Sequence, residues 1–173
     1  MPAIFRSVLL VLGVAALPAA VLAESVPSGQ SAVYGSWSVE CPAKSGQCAA
    51  LQKVATDPEG KQVVLGVIIE TVAGKAIPQL TFRLPTTAYR QAGAGMKVDD
   101  HEPLRAPISA CDDKVCEVRA WLSDSLRETL TTGKLLRFAY FVDPERQITL
   151  PVSLAGLDQA LAHMDKARSK AGN

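Results

Sequence analysis

The sequence predicts a mainly β domain: an antiparallel sandwich of short strands with one or two short helices. Stretches of apolar–polar alternation recur about every eight to twelve residues, with turn residues between them. Helical spacing appears only near residues 122–130 and 154–164. The four cysteines form two tight pairs, Cys41 with Cys48 and Cys111 with Cys116, each where an extended stretch turns back.

Residues Met1 to Ala23 have the layout of a secretory signal peptide. Arg6 supplies the positive start, Val8 to Ala16 the apolar core and Val21-Leu22-Ala23 a small-residue cleavage site. The apolar run falls short of the roughly 20 residues a membrane span needs, and Pro18 interrupts it. Cleavage after Ala23 would leave one domain with a sizeable core, residues 33–165, between a flexible Ser/Gly/Pro-rich start (24–32) and a frayed tail (166–173).

Within the domain, Tyr34 to Cys41 alternates, with Trp37, Val39 and Cys41 on one face, and reads as the first strand. Pro42 to Gln47 turns, and Cys48 to Ala55 returns. Asp57-Pro58-Glu59-Gly60 has type I turn composition. Gln62 to Thr71 is a β-branched run expected to be buried on both faces. After the Ala73-Gly74-Lys75 turn, Leu80, Phe82 and Leu84 alternate with Thr81 and Arg83 in a half-buried strand. Met96-Lys97-Val98 and Leu104 to Ile108 flank the polar tip Asp99 to Glu102 as a hairpin. Val115 to Leu122 places Cys116, Val118 and Ala120 on one side, with Glu117, Arg119 and Trp121 on the other.

The first helix follows. Ser125 to Glu128 matches a capping box, with Ser123 as the competing cap; Leu122, Leu126 and Leu130 share a face, and Gly133 stops the helix. Leu135 to Val142 and Gln147 to Val152 form a hairpin across Asp143 to Arg146. Ser153 is expected to cap a C-terminal helix bearing Leu154, Leu157, Leu161 and Met164 at helical spacing.

Export places the cysteines in an oxidising compartment, which favours disulfides over zinc, and their spacings are looser than a zinc knuckle. Four cysteines allow three pairings. Chain entropy alone rewards a long-range Cys41–Cys111 link by about 4.4 kcal/mol, against roughly 2–2.5 kcal/mol for each local loop. Geometry decides the other way, because facing residues of a hairpin lie within disulfide range. The prediction is Cys41–Cys48 and Cys111–Cys116. Without a Cys-x-x-Cys motif, both read as structural staples rather than a redox pair.

The 18 basic and 17 acidic side chains nearly balance, and removal of Arg6 balances them fully. That disfavours a nucleic-acid groove and a polybasic membrane patch, and leaves peripheral outer-membrane association and weak self-association open. Nucleophile-elbow, zinc-protease, P-loop and dinucleotide motifs are absent from the sequence. Gly93-Ala94-Gly95 is too short to cradle phosphate in the manner of a glycine-rich loop.

Taken together, Tyr34-Gly35-Ser36-Trp37 with Cys41 and Cys48, Glu102-Pro103-Leu104-Arg105 before the second cysteine pair, the helix ending at Gly133, and Pro151 to Leu157 resemble the invasion-associated locus B family of exported bacterial proteins. The resemblance spans Tyr34 to Met164. It implies an immunoglobulin-like sandwich, a periplasmic or outer-envelope location in alphaproteobacteria and, in pathogenic relatives, a part in host-cell entry. It implies no catalytic residues.

His101, among Asp99, Asp100 and Glu102, invites a metal or acid–base reading. Adjacent polar residues at a hairpin tip read more simply as solvated, and calcium-loop spacing is absent. His163 is expected on the surface of the C-terminal helix. Trp37 is expected in the core, whereas Trp121 is a candidate partner contact. No catalytic, metal or cofactor residue is assigned, and no cofactor is expected. The resulting expectation is a non-enzymatic exported envelope protein offering a structural or protein-binding module to an envelope or host protein. Its rivals are a surface adhesin or invasion factor contacting host cells, and a hydrolase whose cleft no motif reveals.

Overall fold

A computed structural model describes residues 30–42 and 47–171. The expected signal peptide, the first six residues of the expected flexible start (24–29), most of the first cysteine loop (43–46) and residues 172–173 lie outside them.

Apolar–polar alternation builds two antiparallel sheets. Strands β1 (Gln30–Tyr34), β2 (Trp37–Cys41), β3 (Ala49–Ala55), β4 (Val63–Glu70) and β5 (Gln79–Leu84) run as a meander. On its far side the sheet is extended by β9 (Cys116–Trp121) and then β8 (Ala110–Cys111). The second sheet is ordered β11 (Gln147–Ser153), β10 (Leu135–Phe141), β6 (Ala94–Val98), β7 (Leu104–Ala106). The helices are α1 (Asp124–Thr132) and α2 (Leu157–Ala171).

The inward residues of both sheets make the core. Leu65, Val67 and Ile69 of β4, and Leu80, Phe82 and Leu84 of β5, are all buried. Phe82 stacks on Phe138 of β10 with ring centroids 4.2 Å apart, which joins the two sheets. The smaller sheet does not span the larger one. Helix α2 closes the remainder, burying Leu157, Leu161 and Met164 on the side of β1 and β2 that carries Tyr34 and Trp37. The two helices are tied by Arg127 Nη2 to Asp165 Oδ2 at 2.5 Å.

Both disulfides form as the hairpin argument expects. Cys41 and Cys48 have Cα atoms 4.2 Å apart. Cys111 and Cys116 are directly paired strand residues with Cα atoms 4.0 Å apart. Inside the second loop, Asp112 Oδ1 accepts from the amides of Lys114 (2.7 Å) and Val115 (2.8 Å). Those amides hold the Asp112 carboxyl below the ordinary carboxylate range.

Several elements depart from their sequence reading. The strand expected over Tyr34 to Cys41 is a hairpin: Tyr34 pairs with Trp37 across Gly35-Ser36, where Gly35 takes φ 53°. Its first arm begins at Gln30, inside the segment expected to be flexible. β4 buries one face only; Val64, Gly66 and Ile68 on the other are half-exposed, because no layer among the described residues covers the outer face of the large sheet. Ser123, not Ser125, caps α1, accepting from Leu126 N at 3.3 Å. Ser153 does not cap α2: its hydroxyl accepts from Ala155 N, and the helix starts at Leu157 after a turn at Gly156. At its other end α2 runs on to Ala171, through most of the tail expected to fray.

Candidate interaction surface

Strand register sets out the exposed face of the large sheet row by row. Trp121 lies opposite Gln79, Arg119 opposite Thr81, and Glu117 opposite Arg83, all pointing away from the core. The Trp121 row continues across the sheet through Glu70, Ala49 and Glu40. Beside that row lies a hollow of about 600 Å³ whose walls include Glu40, Glu70, Gln79 and Arg119.

Glu117 fixes the middle of this face. It is only 8% exposed and accepts from Arg83 Nε at 3.0 Å and from Arg119 Nε at 2.9 Å, with Arg119 Nη2 as a further donor. Burial alone would raise its carboxyl. The hydrogen bonds from Arg119 and Arg83, reinforced by their charges, outweigh burial and hold it below the ordinary range. Thr81, buried in the adjoining row, has no hydrogen-bond partner for its hydroxyl among the described residues.

Trp121 is 44% exposed, a large aromatic surface at the end of a braced strand. A half-exposed indole suits binding, because it offers a large contact area with only two rotatable side-chain bonds to immobilise. Trp37 behaves as expected of a core residue, 1% exposed, and donates its indole N–H to the Ser153 carbonyl at 3.1 Å.

The other candidates do not converge. Asp99, at φ 42°, accepts from Lys134 N (2.8 Å) and Leu135 N (3.0 Å). The bond from Lys134, then that from Leu135, lowers its carboxyl, so Asp99 organises the start of β10. His101 is exposed at the β6–β7 tip, with Nδ1 3.2 Å from the Val98 carbonyl. Among the described residues, no three His, Cys, Asp or Glu side chains gather as a metal site. His163, expected on the surface, is half-buried: its Nδ1 lies 2.9 Å from the Tyr34 hydroxyl and its ring packs edge-on to Tyr34.

Of this face, the sequence marks only Trp121 as a candidate contact; Glu117, Arg119 and Arg83 read there as ordinary outward strand residues. The alternation that turns Glu117, Arg119 and Trp121 outward is visible in β9, but Arg83 lies 34 residues away and joins them only through register.

Fold and surface together define a disulfide-stapled, two-sheet sandwich whose large sheet has one face left open by the described residues. The invasion associated locus B (IalB) protein family model matches residues 37–165, and the chain belongs to that family. It is similar in fold to invasion associated protein B from Bartonella henselae, whose crystal structure superposes with TM-score 0.70 at 19% identity, over 81% of this chain and 99% of that one. No curated protein matches the sequence.

Proposed function

We propose that the protein is an exported, non-enzymatic envelope component that binds a protein partner through the open face of its large sheet, with Trp121 as the central contact. The observation that carries this reading is Trp121 itself: 44% exposed, at the edge of the Glu117–arginine brace. Export is supported by the oxidised cysteines and by the family, whose members are exported envelope proteins. No helix among the described residues is long and apolar enough to cross a membrane. A non-enzymatic role is supported by a family not known for enzymes.

Crosslinking pull-down from the cell envelope tests the reading. A reproducible partner should be recovered with the native protein and about tenfold less with Trp121→Ala, at unchanged melting temperature. Equal recovery with the variant would exclude this face. The name of the Bartonella protein motivates a second reading, in which the same face meets a host surface. Protease added to intact cells separates them: protection of the protein argues for a partner inside the envelope.

A further inference from the structure

The outer face of the small sheet carries a different kind of surface, independent of the Trp121 face. Gly95 pairs with Ala139 on one side and Arg105 on the other, and Ala139 pairs with Thr149. A glycine and an alanine side by side leave the middle of this row low, and a hollow of about 270 Å³ opens above them. In the next row, Arg137 lies directly opposite Lys97.

That pairing is unfavourable in isolation, because like charges facing each other across a strand pair repel. Arg105 adds a third cation diagonal to Lys97, about 7–8 Å from it by sheet geometry. All three side chains are exposed and line the hollow. Among the described residues none of them is in an ion pair, and no carboxylate lines the hollow. The nearby Asp99 spends both oxygens on the Lys134 and Leu135 amides.

The geometry points to an anion site that takes a phosphate group, carried on a small ligand or a lipid headgroup. Two guanidinium forks and an ammonium surround a concavity, which suits a compact, multiply charged oxyanion with several acceptor oxygens. Thr149, in the wall, adds a hydroxyl donor. The hollow is near the small end of ligand sites, roughly 300–1,000 Å³, and so fits a headgroup rather than a protein surface. The grip comes from side chains on four strands, not from the Gly93-Ala94-Gly95 backbone.

Gly95 supplies a variant that fills the hollow and leaves all three cations in place. A Cβ there would meet only the Leu104 carbonyl oxygen, at an ordinary 3.7 Å. Gly95→Val, β-branched and suited to a strand, adds two methyl groups on the side of the hollow, and an unchanged melting temperature in chloride checks that the fold tolerates them. Inorganic phosphate should raise the melting temperature by roughly 2 °C or more over chloride at matched ionic strength. The rise should vanish in Gly95→Val and Arg137→Gln, and persist in Lys53→Gln on the other sheet. An equal rise in chloride, or one that survives Arg137→Gln, overturns the site. Glucose 1-phosphate and phosphatidic acid vesicles then present the group free and on a bilayer. Binding of either that is lost in Arg137→Gln supports the site and names its source; binding of neither overturns it.

Discussion

Glu117 shows how a side chain that reads as a surface carboxylate in the sequence becomes structural. Its neighbours in β9 place it outward, yet Arg83 and Arg119 cover it and leave it 8% exposed. Because its folded-state carboxyl is held below the ordinary value of 4.5, the ionised form contributes stability above that pH and loses it as pH falls through the lowered value. Glu117→Gln should therefore cost about 1–2 kcal/mol at neutral pH, the half-exposed arginines limiting the loss. The gap should close progressively below pH 4.5, as followed by urea denaturation of both proteins across that range. A gap that persisted unchanged into acid would mean that packing, not charge, is what Glu117 supplies. Period-two alternation made the outward direction legible; the cover did not, because a pairing 34 residues apart leaves no local mark.

At the scale of elements, local chemistry was readable where one candidate satisfied one need, and misleading where two competed. Ser123 and Ser125 both precede the apolar run of α1, and the capping box favours Ser125 in the sequence. The chain leaves β9 through Leu122, which is buried, and this fixes the helix start so that the Ser123 hydroxyl meets Leu126 N. Ser123→Ala should cost about 1 kcal/mol and Ser125→Ala less than half of that, by thermal unfolding. Equal losses would return the cap to Ser125. The disulfides were legible for a simpler reason: each closes a short excursion between strand residues. Replacing either pair by alanines should cost about 2–2.5 kcal/mol by chain entropy, in equilibrium denaturation of the oxidised proteins. A loss near zero for Cys111–Cys116 would show that Asp112 and its two amides already hold that loop.

On the scale of the whole molecule, two of the segments that carry the family resemblance meet. Tyr34-Gly35-Ser36-Trp37 turns between β1 and β2, and Pro151 to Leu157 links β11 to α2, more than a hundred residues later. Ser36 N donates to the Ala155 carbonyl at 3.1 Å, and Trp37 reaches the Ser153 carbonyl. The contact is backbone against backbone. A Cβ on Gly35 would lie 2.3 Å from the Ala155 oxygen, and one on Gly156 would lie 2.3 Å from the Tyr34 oxygen. Both glycines also have positive φ, 53° and 86°. These motifs were visible as residues, but their meaning was not, because sequence shows a glycine and not the chain that passes over it. The junction locks α2 over the half of the large sheet that the small sheet leaves uncovered. Gly35→Ala and Gly156→Ala should each destabilise by about 2 kcal/mol or more, from strain and steric displacement together. Because either substitution already separates the same two segments, the double variant should lose clearly less than the sum of the singles. A double-variant cycle by urea denaturation reads this directly, and strict additivity would show that the two glycines answer local backbone needs rather than one shared junction.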